Sequence, residues 1–149
     1  MFKFFLLLHV LAAIFAVGPL VGAATTASRA LRTPDADGAR AAARTVRLYS
    51  YVSVGVVVLG MGLMSAKAPG SSEHVGDLGD TWIWLSLLLW VAATAVSLGL
   101  LVPTLTKASA EIGEGRGVGT LTARVAAGGG VVGLVYAAIV LLMVYRPGS

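Results

Sequence analysis

Three side chains in this 149-residue chain are candidate ligands for a metal at membrane depth. His9 lies inside an apolar run, and Met61 and Met64 lie near the end of a second apolar run. Imidazole and thioether groups suit Cu(I), and a buried histidine can also ligate haem. A bis-histidine haem needs a second buried histidine, and the only other one, His74, stands in a polar stretch. We therefore keep His9, Met61 and Met64 as candidate ligands and predict no resident cofactor. The main alternative for His9 is an interfacial or interhelical hydrogen-bonding histidine.

Two polar stretches match a cation-binding site and a phosphate-binding loop only in part. His74 stands with Glu73, Asp77 and Asp80, a set that could bind a divalent cation but equally describes a solvated acidic loop. Alternate glycines at positions 113 to 119 suggest a phosphate-binding loop, but they follow an apolar run and lack a lysine at the required spacing. The chain has no cysteine and no G-x-S-x-G pattern beside its histidines. We predict that it is not an enzyme.

The elements that would position these residues are membrane helices. Hydrophobic residues make up 57% of the chain and charged residues only 12%, about half the share usual in soluble domains. An apolar run of about 20 residues covers the hydrocarbon core of a bilayer as a helix. The sequence predicts an all-α membrane protein with one domain over residues 1–149, an up-down bundle of four transmembrane helices at about 4–24, 34–66, 81–102 and 120–145.

Helix ends are predicted from capping residues and prolines. Thr33 can cap the second helix, Pro34 suits its first position, and Asp35 and Asp37 complement the positive end of its dipole. Pro103 is expected to end the third helix, with a glycine-rich loop over residues 104–119. The first run could alternatively be a cleaved signal peptide. Its length and the basic residues after it favour a retained helix.

Glycines within the runs predict close contacts between helices, because lipid supplies no hydrophobic drive and small residues let backbones approach. The glycines that we predict to make such contacts lie in the second and fourth runs. The predicted packing residues are Gly55, Gly60, Gly62, Gly129 and Gly133.

Basic residues predict the orientation of the chain. Eight arginines and lysines lie in or beside the first and third loops, and only Lys3, Lys67 and Arg146 lie on the opposite side. By the positive-inside rule, both termini are expected to be extracytoplasmic in a multi-pass protein of the cell membrane. This asymmetry also accounts for the net charge of +4 without a nucleic-acid partner. The arginines expected to contact lipid headgroups or an acidic partner are Arg40, Arg44, Arg47 and Arg124.

The motif FKFFLLLHVLAAIFAVGPL in the first run resembles a family of four-helix bacterial membrane proteins. The matching residues are Leu7, Leu8, His9, Val10, Leu11, Ala13, Ile14 and Gly18. This family is distantly similar to copper-resistance-type membrane proteins. Helix count and loop pattern extend the resemblance over the whole chain. The composition, rich in arginine and alanine, suits an actinobacterium, and the chain looks like the actinobacterial respiratory supercomplex association factors.

That resemblance implies an accessory subunit of the respiratory chain without a cofactor of its own. Its expected partners are membrane lipids and other integral membrane subunits, namely those of the cytochrome bcc complex and the aa3 cytochrome c oxidase, which carry the electron transport. From the residues alone, the alternative hypothesis is a small copper- or haem-binding membrane carrier that uses His9.

Overall fold

The computed structural model describes residues 1–67, 76–77 and 79–147. Within these residues the chain forms four long helices, α1 (Phe2–Arg32), α2 (Ala36–Met64), α3 (Thr81–Gly113) and α4 (Gly119–Tyr145). Each helix is long and apolar enough to cross a membrane. The predicted all-α fold with four candidate membrane-spanning helices is therefore confirmed.

The turn between α1 and α2 is shorter than predicted, and the residue that caps α2 is not the predicted one. α1 continues through the polar residues 25–32, so only residues 33–35 separate the two helices. The side chain of Asp35, not that of Thr33, caps α2 by accepting a hydrogen bond of 2.9 Å from the N–H of Gly38. Thr33 instead ends α1, and its hydroxyl donates to the carbonyl oxygen of Arg29. The predicted cap at Thr33 is wrong because the first helix uses that residue.

The third helix does not end before Pro103, as the sequence predicts, but runs on to Gly113. A π-helical turn at Ser97–Leu101 precedes the proline, and the N–H of Val102 donates to the carbonyl oxygen of Ser97, five residues back. This wider turn precedes Pro103, which stands in the first turn of the next α-helical segment, where its missing N–H costs little. Residues 104–113 are therefore helical, and only residues 114–118 form the turn to α4.

Both short turns lie at the same end of the molecule, which we call the turn end; the start of α1 and the end of α4 mark the terminal end. α1 packs between α2 and α4, and α3 packs on α4 and, from Ser97 onward, on α2. The core lies mainly toward the turn end, where several side chains are completely inaccessible. Its largest members are Leu20, Val46, Leu101, Leu105, Val125 and Val132.

The outer surface of the bundle is apolar, the reverse of a soluble protein. The first half of α1 is the clearest case, with Phe4 62% and Phe15 70% exposed. Of the four candidate spans, α1 has the smallest share of buried residues in its most apolar window. A surface of this kind is stable in lipid and would aggregate in water.

Candidate functional sites in the bundle

His9 forms a hydrogen bond between α1 and α2. Its Nδ1 lies 3.1 Å from the carbonyl oxygen of Val56. A carbonyl oxygen only accepts, so Nδ1 carries the proton and donates, and in the neutral ring Nε2 keeps its lone pair. The absence of a side chain at Gly60 makes room for the ring, since a Cβ there would lie 3.1 Å from Cε1 of His9. The glycine and the histidine therefore form one interlocking contact.

The other two candidate metal ligands lie in the last two turns of α2. Met61 is 48% exposed, and Met64 lies one helical turn beyond Gly60 on the same face of α2. Among the residues that the structure describes, no three histidine or carboxylate side chains are close enough to hold a metal ion. His74 and Glu73 lie outside the described residues. The contacts of His9 with Val56 and Gly60 define it as a helix-packing residue.

We expect His9→Leu to lower the free energy of unfolding by about 1 kcal/mol, because the carbonyl of Val56 loses an interhelical donor. Gly60→Val should have a similar effect, since its side chain would displace the imidazole. Unfolding of the purified protein by titration with a denaturing detergent measures both. Val10→Ala, at a neighbouring outward-facing residue, is the control. Equal stability of His9→Leu and the native protein would contradict the role.

Glycines of α4 lie in close contact with the neighbouring helices, and Gly129 packs directly on the backbone of α1. A Cβ on Gly129 would overlap the carbonyl oxygen of Ala24 in α1, and a Cβ on Gly133 would lie 3.1 Å from Cγ2 of Thr25. Gly128, which is not among the predicted packing residues, faces α3, where a Cβ would lie 2.9 Å from Cδ2 of Leu101. Gly128 and Gly129 therefore let α4 approach two neighbouring helices at once.

The predicted packing glycines of α2 behave differently from one another. A Cβ on Gly62 would make ordinary contact, at 3.9 Å, with the ring of Phe5 in α1. Gly55 is predicted to pack against a neighbouring helix, but a Cβ there would meet no atom within 4 Å. Gly55 lies on the outward face of α2, beside the exposed Tyr51 and Val58. Helical spacing alone could not separate inward from outward glycines.

Two glycines of α1 leave an open notch on the outside of the bundle. Gly18 and Gly22 stand one helical turn apart, and a Cβ added to either would have no atom within 4 Å. On the polar side of the notch, the hydroxyls of Thr25 and Thr26 donate to carbonyl oxygens of α1 itself, at 2.7 and 2.6 Å. These bonds satisfy both hydroxyls within α1, and the methyl group of Thr25 faces Gly133 of α4.

The same face of α1 carries an unusual backbone group. Pro19 lies inside α1 and has no N–H, so the carbonyl oxygen of Phe15 has no donor in the helix ladder. A helical carbonyl points along the axis toward the next turn, which here contains Gly18 and Pro19. The notch therefore lies next to a carbonyl that lacks its usual α-helical donor.

The predicted headgroup arginines all lie toward the turn end of the bundle. Arg40 pairs with Asp37 at 2.9 Å, an exposed pair that adds little stability. Arg44, Arg47 and Arg124 form no ion pair within the described residues. Glu111 and Glu114, the nearest acidic residues in the chain to α4, are both paired with Arg116. The three unpaired arginines remain available to phosphate groups or to an acidic surface.

A cluster of polar side chains in the middle of the bundle is absent from the predicted sites. We call Ser53 of α2, Trp90 and Thr94 of α3, and Tyr136 of α4 the central polar cluster. The indole N–H of Trp90 donates to the hydroxyl of Ser53 at 3.0 Å, and that hydroxyl donates to the carbonyl oxygen of Ser50 at 2.7 Å. The hydroxyl of Tyr136 lies beside those of Ser53 and Thr94. The spacing of Trp90, Thr94 and Ser97 at i, i+4 and i+7 could have indicated this face.

Comparison with known proteins adds no relative. No family model matches the chain, and no match emerges among curated proteins or among solved structures. The residues and their geometry therefore carry what can be inferred about function.

Proposed function

We propose that this protein is a non-catalytic accessory subunit of a larger integral membrane complex, and that the outward face of α1 is its docking surface. The observation that carries the proposal is the open notch at Gly18 and Gly22, beside Pro19, which removes the usual helix donor of the Phe15 carbonyl. Lipid tails can fill the notch but cannot donate to the carbonyl, and an unpaired polar group costs free energy in hydrocarbon. A helix of another subunit can do both.

The expected occupant is an apolar transmembrane helix that offers one hydrogen-bond donor at this depth. Pairs of small residues one turn apart are the usual contact surface of such helices, because they let two backbones approach closely. Phe15, 70% exposed, would then pack on the partner beside the notch. The interior supports an accessory role, because the buried residues within the described part of the chain include no aspartate, glutamate, histidine, lysine or arginine. Proton or ion coupling at membrane depth relies on ionisable groups.

The finer assignment follows from the resemblance of the first helix. The motif around His9 points to the cytochrome bcc–aa3 oxidase supercomplex as the assembly, and to its membrane subunits as partners. The charge asymmetry supports a turn end in the cytoplasm and both termini outside, in the cell membrane. The chain has no cysteine, so a single Ala36→Cys variant reports the orientation directly. Labelling of that cysteine by an impermeant reagent in intact cells would contradict it.

Purification of the tagged full chain in a mild detergent, followed by mass spectrometry, tests the function. Respiratory membrane subunits should be retained in fixed stoichiometry. Retention of a different membrane complex would support the accessory role and overturn the respiratory assignment. Recovery of the chain alone, or only as copies of itself, would overturn the accessory role.

A second candidate function is carriage of copper or haem at His9. The lone pair on Nε2 favours it, because a backbone carbonyl that holds Nδ1–H is a common orienting contact for a metal-bound histidine. Metal analysis and an absorption spectrum of the purified protein test it. A preparation with neither metal nor haem bands would remove this candidate.

A further inference from the structure

The central polar cluster contains hydroxyl groups that the protein itself does not satisfy. Thr94 Oγ1 and Tyr136 OH are both inaccessible and make no hydrogen bond of acceptable geometry, although the tyrosine hydroxyl lies close to the hydroxyls of Thr94 and Ser53. Tyr136 is 6% exposed as a residue. Ser50 and Ser97, 1% and 0% exposed, also have unpartnered hydroxyls and lie about one turn nearer the turn end. These four groups lie on three helices.

An isolated buried hydroxyl is costly, and the cost is greater where no bulk water can reach it. Serine and threonine in helices commonly satisfy themselves by donating to a carbonyl one turn back, as Thr106 and Thr122 do here. Thr94 does not use that bond, and a tyrosine hydroxyl cannot reach its own helix backbone. A small hydrogen-bonding molecule between them would offset the desolvation cost of both hydroxyls.

We propose that the central polar cluster binds an ordered water molecule, held by Tyr136, Thr94 and Ser53. Buried waters typically make about three hydrogen bonds. Ser53 already donates to Ser50 and accepts from Trp90, which leaves one lone pair to accept from the water. Thr94 and Tyr136 can each donate or accept. Neutral hydroxyls without a carboxylate or cationic group suit water and not an ion.

Such a water joins three helices that come together here through long side chains. The first part of α3 makes its close backbone contacts with α4, and it reaches α2 through the indole of Trp90. The water adds a link from α4 to both. Its contribution to the cohesion of the bundle does not depend on the proposed docking of α1.

Magnetisation transfer from water to methyl groups, measured by NMR on the full chain in detergent micelles, tests the proposal. The Thr94 methyl group should receive transfer from a long-lived water. The methyl group of the adjacent Ala93, which is completely buried in the apolar core, should not. Absence of transfer to Thr94 would overturn the proposal, even if the hydroxyls prove to be bonded directly to each other.

Two nearly isosteric variants supply an independent test. Thr94→Val and Tyr136→Phe each remove a hydroxyl, and each should lower the ratio of folded to unfolded protein about fivefold. The loss of stability in the double variant should be less than the sum of the two single losses, because both hydroxyls share one water. Tyr145→Phe, at a residue 78% exposed on the same helix as Tyr136, should leave the ratio unchanged. In a dry cluster the removal of an unsatisfied hydroxyl is neutral or stabilising. Unchanged or greater stability of both variants would overturn the proposal.

Discussion

Gly129→Ala is expected to lower the free energy of unfolding by about 3 kcal/mol, a large part of the stability of a small bundle. The added Cβ would overlap the carbonyl oxygen of Ala24. No change of rotamer relieves this overlap, because both groups belong to helix backbones, so α1 and α4 must move apart. A longer side chain at this position should prevent the native bundle from forming.

The two neighbouring glycines supply a graded control. Gly128→Ala places its Cβ against the side chain of Leu101, which can shift, and should cost about 1 kcal/mol. Gly130→Ala has no atom within 4 Å and should be neutral or slightly stabilising, since alanine favours a helix more than glycine does. Denaturing-detergent titration of the three variants gives the order. A loss at Gly130 equal to that at Gly129 would contradict the packing described.

Gly22→Leu is expected to abolish association with partner subunits while leaving the bundle intact. The leucine would occupy the notch that a partner helix needs, and loss of a close helix contact worth about 3 kcal/mol weakens binding roughly a hundredfold. A Cβ at Gly22 meets no atom of the bundle within 4 Å, so we expect the substitution to leave the fold intact. Co-purification from membranes measures the association, and the unfolding titration measures the fold.

Gly55→Leu is the matched control for this prediction. Gly55 is also a helix glycine without a neighbour within 4 Å, but it lies on α2 instead of α1. This variant should retain the partners at native levels. Loss of partners in both variants would indicate a general effect of bulk on the lipid-facing surface, and retention in Gly22→Leu would exclude the α1 notch as the contact.

Composition and run length were sufficient to predict the four helices. Their ends were harder to predict, because Pro103 looks like a helix terminus until the π-helical turn before it is known. The spacing of Leu101, Leu105 and Ala108 at i, i+4 and i+7 did carry the information that an apolar stripe continues past the proline. At the first turn, α1 extends to Arg32 and leaves the cap of α2 to Asp35.

The candidate sites, like the helix ends, could be predicted from the sequence only in part. Sequence could identify His9 as exceptional and glycines as packing residues, but not the direction in which each one faces. Gly129 and Gly55 look alike in sequence, and one contacts a backbone while the other faces outward. The central polar cluster depends on residues from three helices, and only tertiary structure brings Ser53, Trp90 and Tyr136 together.

Photo-cross-linking in intact membranes tests the docking role of α1 most directly. A photoreactive amino acid in place of Phe15, beside the notch, should give a specific adduct with a helix of another membrane subunit. The same amino acid in place of Leu134, 74% exposed on α4, should react mainly with lipid. An adduct from position 15 that Gly22→Leu removes is the predicted result. Reaction of position 15 with lipid alone, or only with another copy of this chain, would contradict the accessory-subunit account.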